Sequence, residues 1–210
     1  RYAGWLVWQR HTAQTENDRK PLTGYEARKE RERARQAALS ESGRNIGELP
    51  PIENPERKAR GERDFTFFCR EYFPEIFTLP FSDDHHKVIS KIESAVLQGG
   101  LFALAMPRGS GKSSITETAC LWAILYGHRP FVVLIGSDEK HAADMLDSIK
   151  IELEINDLLL ADFPEAVFPI RCLEGIAQRA NGQLYNGEQT RIGWTAKVIV
   201  LPTVEGSKAS

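Results

Sequence analysis

The residues with the clearest chemical potential lie in MPRGSGKSS, residues 106–114. Gly109 and Gly111 have no Cβ, so main-chain N–H groups beside them can approach phosphate oxygens. Lys112 is placed to reach β- and γ-phosphates as a point charge. Ser113 is placed to ligate Mg²⁺, with Ser114 behind it. Pro107 and Ser110 complete the turn from 107 to 111. The full phosphate-loop (Walker A) pattern, G-x-x-x-x-G-K-[ST], would have glycine at 106, where this chain has Met106. The pattern is therefore incomplete, and an accidental Gly-Ser turn is the competing reading. Arg108 is a departure of its own: inside such a loop its guanidinium could stabilise charge developing on a transferred phosphoryl group, a catalytic role shared with Lys112. It could equally pair with a nearby carboxylate.

Such a loop works only if a strand aims it and a helix N-terminus stands behind it. LFALAM (101–106) is a short apolar run of the kind that suits a buried parallel strand, and SSITETACLWAILYG (113–127) reads as a helix ending at Gly127. FVVLIG (131–136) reads as a second buried strand. DEKHAADMLDSIKIELEINDLLL (138–160) reads as one long amphipathic helix, and TRIGWTAKVIVLP (190–202) as two strands or one bent strand. Asp138 and Glu139 follow an apolar run, as would a Mg²⁺-holding, water-polarising pair, but they lie past Gly136-Ser137. They are better placed to cap the next helix. No other apolar run ends in Asp-Glu, so the water-activating carboxylate is expected to be missing from these 210 residues.

Upstream, RDFTFFCREYFPEIF carries Phe65, Phe68, Cys69, Tyr72 and Phe73 at helical spacing, ended by Pro74. In LPFSDDHHKVISKIESAVLQGG, Ser82 is a candidate N-cap with acids in the first turn. Val88, Ile89, Ile92, Val96 and Leu97 form the apolar stripe, and Gly99-Gly100 stops the helix. GYEARKERERARQAALS reads as a charged helix from about Tyr25 to Leu39, with no wide apolar stripe. ESGRNIGELPPIENP (41–55) is a linker by composition. Trp5, Leu6 and Trp8 could anchor on a partner or on the body. The order of elements predicts an α/β fold: a P-loop NTPase (RecA-like) domain with a mostly parallel sheet flanked by helices. It is expected to be incomplete at the C-terminus, at 64–210, and preceded by a basic helical arm and linker at 1–63.

Charge divides along the same line. Residues 1–63 hold 14 Lys+Arg against 10 Asp+Glu, and residues 64–210 hold 13 against 19. A basic arm on an acidic body fits a polyanion contact, and also fits a solvated helix face. Arg28–Arg35 and Arg57–Arg63 could meet DNA phosphates, although Glu30, Glu32 and Glu62 argue against a strong site. Tyr185, Arg191 and Trp194 lie in a Gly/Asn-rich region that could contact DNA, with core packing an equal reading for the aromatics. Cys69, Cys120 and Cys172 have no disulfide or zinc spacing, and adjacent His85 and His86 would chelate poorly on a helix. No run has membrane-spanning length and no signal peptide is evident, which predicts a reducing, cytoplasmic location, host-cell cytoplasm if viral.

MPRGSGKSS, with its arginine, resembles the deviant phosphate loop of large terminase subunits, the ATPases that drive viral DNA into capsids. FSDDHHKVISKIESAV (81–96) is similar to the segment before that loop in the family. GSDEKHAADML (136–146) and LPTVEGSKAS (201–210) resemble stretches that follow it. The resemblance implies ATP and Mg²⁺ as cofactors, with Phe81, His85 or His86 beside the adenine. It implies ATP hydrolysis coupled to translocation of double-stranded DNA, a homo-oligomer, and the capsid portal and small terminase subunit as partners. The family's acidic strand, coupling motif and nuclease have no counterpart in the 210 residues. A helicase-like nucleic-acid-dependent ATPase shares the loop core, and a non-hydrolysing nucleotide-binding module is a third reading.

Overall fold

The computed structural model describes residues 24–202 and residue 204. Contacts divide the chain into two compact units, Arg1–Gly43 and Arg44–Ser210. Trp5, Leu6 and Trp8, and most of LPTVEGSKAS, lie outside the described residues.

In the first unit, α1 (Gly24–Ser42) is the charged helix expected from Tyr25 to Leu39. Its side chains from Arg28 to Gln36 are exposed, as a helix without an apolar stripe must leave them.

The second unit begins with an extended passage and α2 (Pro55–Arg63), started by Pro55 and by Asn54, whose side chain accepts the Arg57 N–H. Asp64 then caps α3 (Phe65–Tyr72), which buries Phe65, Phe68, Cys69 and Tyr72. Ser82 caps α4 (Asp83–Gln98), which ends at Gly99 in a positive-φ conformation, φ 86°. Of the expected α4 stripe, Ile89 and Ile92 are buried and Leu97 is exposed. The helix behind the loop, α5 (Lys112–Leu125), buries Ile115, Thr118 through Ala123 and Leu125. That is most of its circumference, so α5 is the central element of the core.

Asp138 caps α6 (Glu139–Ile155), and Asn156 both ends α6 and caps α7 (Asp157–Asp162). The Asn156 side chain accepts the N–H groups of Leu158 and Leu159, each at 3.1 Å. The single long helix expected over 138–160 is thus two, because an asparagine that can cap a new helix interrupts the old one. Next comes α8 (Pro164–Arg171), then a 3-10 turn at Ala177–Ala180. Two short hairpins follow: β1 (Leu184–Tyr185) with β2 (Glu188–Gln189), and β3 (Gly193–Trp194) with β4 (Ile199–Val200), both antiparallel.

The core is an aromatic cluster where α2, α3, α5 and the start of α8 meet. Phe68 lies 4.9 Å from Tyr72 and Tyr126 lies 4.9 Å from Phe163, ring centre to ring centre. Trp122 Nε1 donates to the Gly61 carbonyl and the Tyr126 hydroxyl to the Lys58 carbonyl, both at 2.8 Å, docking α2 on α5. Buried tyrosine and tryptophan thereby satisfy their polar ends on a neighbouring helix.

The expected RecA-like parallel sheet is not present. The described residues are 55% helical and carry two small antiparallel two-stranded sheets. LFALAM and FVVLIG form neither helix nor strand among the described residues and belong to no sheet. Phe131, Val133 and Ile135 are 79%, 61% and 86% exposed, whereas Val132 and Leu134 pack on the core, so the second run is covered on one face only. A central parallel strand needs a hydrogen-bonded neighbour on each side and cover on both faces. Apolar composition signals burial, but a ladder also needs partner strands from elsewhere in the chain. The described partners are helices and two-residue strands.

Candidate phosphate-binding loop

The loop is set by its glycines. Gly109 and Gly111 have φ of 79° and 73°, the left-handed region that glycine enters without strain. Gly111 is also the N-cap of α5, and no side chain caps that helix. A Cβ added at either glycine would meet nothing within 4 Å, so both open onto free space. The first main-chain bond into α5 is made by Ile115 N–H to the Gly111 carbonyl, at 2.9 Å. Among the described residues no acceptor meets the N–H groups of Gly109, Gly111, Ser113 or Ser114. A bare helix start of this kind carries partial positive charge and suits an anion.

Around this opening the expected residues do converge. The Lys112 ammonium curls back over the turn and donates to the carbonyls of Met106 (2.7 Å) and Pro107 (2.8 Å). The Ser110 hydroxyl donates to the Pro107 carbonyl at 2.8 Å, which tightens the turn. Ser113 and Arg108 are exposed, and Ser114 lines a cavity between α5 and α6. Among the described residues Arg108 makes no ion pair.

Of the two histidines, one reaches the loop. His85 Nε2 lies 2.9 Å from the Ser110 carbonyl, and its Nδ1 lies 2.7 Å from the Ser82 hydroxyl. His86 is exposed and its ring lies 6.0 Å from Phe81, centre to centre. The Phe81 ring is flanked by Phe77, His85 and the Arg70 guanidinium, the last 4.8 Å from its centre.

A cavity of about 270 Å³ opens beside α5, lined by Ile76, Glu117, Ser148 and Glu152 among others. Partial burial holds the Glu117 carboxyl above its ordinary range, with His141 pulling weakly the other way. Nothing in the spacing of the sequence pointed to Glu117, because its setting depends on α6 lying across α5. Cys120 on the same helix is pushed up to about 11 by burial, so its thiol is inert.

Asp138 accepts the His141 N–H at 2.9 Å, and that bond holds its carboxyl below the usual range. Glu139 pairs with Lys197 at 2.6 Å. Both acids are therefore engaged at the start of α6. Part of the basic run of α2 pairs within the fold: Arg57 with Asp162 and Lys58 with Glu165, while the exposed Arg60 guanidinium sits 4.1 Å over the Phe67 ring and Arg63 is exposed. Trp194 is half-buried in β3 beneath the Lys150 ammonium, and Arg191 is exposed in a left-handed conformation, φ 56°.

Among the described residues no group of three or more His, Cys, Asp or Glu could hold a metal ion. The donor set at the loop is instead one serine hydroxyl, which fits a hard cation shared with phosphate oxygens. No helix of the described residues is long and apolar enough to cross a membrane. No family model, curated protein or solved structure matches the chain.

Proposed function

We propose that residues 107–114 bind the phosphate tail of ATP, and that the chain is the ATP-binding part of a terminase-like, DNA-packaging motor. The observation that carries the reading is the uncapped start of α5. Among the described residues, the N–H groups of Gly109, Gly111, Ser113 and Ser114 meet no acceptor, and the ammonium beside them donates to two carbonyls. In this reading the amides cradle phosphate oxygens, and Lys112 exchanges its carbonyl partners for the β- and γ-phosphates. Ser113 would hold Mg²⁺, which supplies charge neutralisation on those phosphates. Arg108 would meet the charge on the terminal phosphate. Double-stranded DNA, a ring of like subunits, the portal and a small terminase subunit are the partners this reading brings, in the host-cell cytoplasm.

A second reading, nucleotide binding without hydrolysis, is favoured by one observation: Asp138 and Glu139 are occupied in capping and pairing with Lys197. ATP turnover measured with and without double-stranded DNA separates the two readings. Titration with Mg-ATP tests both. Lys112→Ala is expected to weaken binding by about tenfold or more, the worth of a charge-assisted contact. Equal affinity in the wild type and the variant removes the phosphate reading.

A further inference from the structure

We infer that His85 is a positioning residue for the loop, clamping the Ser110 carbonyl, and not a contact to the nucleotide base; this rests on the phosphate reading of residues 107–114. The ring is held at both edges. The Ser82 main-chain N–H donates to Nδ1 at 3.2 Å, so Nδ1 carries a lone pair. The ring proton therefore sits on Nε2, where it is donated to the Ser110 carbonyl at 2.9 Å.

Ser110 stands between two glycines in left-handed conformations, φ 79° and 73°, where no Cβ restrains the peptide planes. A trans peptide is planar, with its C=O and N–H pointing in opposite directions. Pinning the Ser110 carbonyl onto His85 therefore turns the Gly111 N–H away from α4. One hydrogen bond thus selects a single orientation for a peptide that could otherwise flip, and the loop meets an anion already arranged. The clamp is anchored in the core helix α3: the Arg70 guanidinium covers Phe81, and Phe81 packs on the His85 ring at 5.9 Å. His86, exposed and with no side-chain hydrogen bond among the described residues, is the natural control.

The test compares Mg-ATP with Mg-tripolyphosphate, which has no base, by titration calorimetry on the whole chain. His85→Ala is expected to weaken both ligands by the same factor, about three- to tenfold. His85→Gln, whose amide can donate to the same carbonyl and still serve the Ser82 cap, is expected to recover most of that loss. His86→Ala is expected to match the wild type. A loss confined to ATP, or no loss at all, overturns the proposal. Independently of any ligand, ¹⁵N imidazole NMR should show His85 as the Nε2-protonated tautomer; an Nδ1-protonated ring overturns the clamp. If the wild type and Lys112→Ala both fail to bind tripolyphosphate, the phosphate reading falls, and the imidazole spectrum alone decides the clamp.

Discussion

Asp162 has no exposed surface, and three groups satisfy it with four hydrogen bonds. Arg57 meets it through Nε at 2.6 Å and a second nitrogen at 3.0 Å, the Tyr72 hydroxyl donates at 2.6 Å, and the Asn54 N–H at 3.1 Å. The Asp162 hydrogen bond raises the Arg57 guanidinium above its ordinary value, and burial with Asp162 beside it raises the Tyr72 phenol. Arg57→Ala would leave a buried carboxylate without its counter-ion, at an expected cost of about 3–5 kcal/mol in urea unfolding. Glu117 behaves oppositely. Burial raises its folded-state value above 4.5, so the folded chain binds more protons than the unfolded one just above that pH. Its contribution to stability therefore falls as pH rises through the window. Glu117→Gln is expected to raise the melting temperature at pH 7 and to leave it unchanged at pH 3, measured by circular dichroism. Glycines, lysine and serines could be read at the loop because their chemistry is local. Asp162 and Glu117 could not, because only the packing of distant helices defines their partners.

At the scale of elements, caps carried most of the readable information. Ser82, Asp138, Gly99 and Gly127 mark real helix ends, since a cap acts within a few residues of its own position. Asp138 offers a direct check. Its folded-state value is depressed, so the cap stabilises α6 at neutral pH, and the effect fades as pH falls below 3.8 and through the folded value. Asp138→Ala is expected to lower the melting temperature at pH 7, with the gap from wild type closing in acid. Contacts between elements impose tighter demands. A Cβ at Gly61 would run into the Tyr126 hydroxyl and press on the Tyr72 ring. Gly61→Ala is expected to destabilise the chain by about 1–3 kcal/mol, read by chemical denaturation, because α2 could no longer seat on α5. The break at Asn156 escaped the periodicity because the apolar spacing continues on both sides of it.

At the scale of the whole molecule, the two apolar runs stand out. Leu101 is fully exposed, and Phe131, Val133 and Ile135 present a second apolar edge. Exposed apolar side chains in a row, without lysine or proline among them, promote association. Val133→Lys with Ile135→Lys is expected to increase the monomer fraction in light scattering at high protein concentration, with little change in melting temperature. The sequence alone determined the helices over 24–42, 65–72, 83–98 and 112–125, several of their caps, and the apolar character of residues 101–106 and 131–136, all of which follow from spacing and residue type over a few turns. The tertiary structure decided which helices pack on α5, that Arg57 and Lys58 serve buried acids, that His85 rather than His86 meets the loop, and that neither apolar run joins a sheet. Those outcomes depend on groups brought together from distant positions, and a ladder of hydrogen bonds cannot form from one apolar segment, whatever its composition.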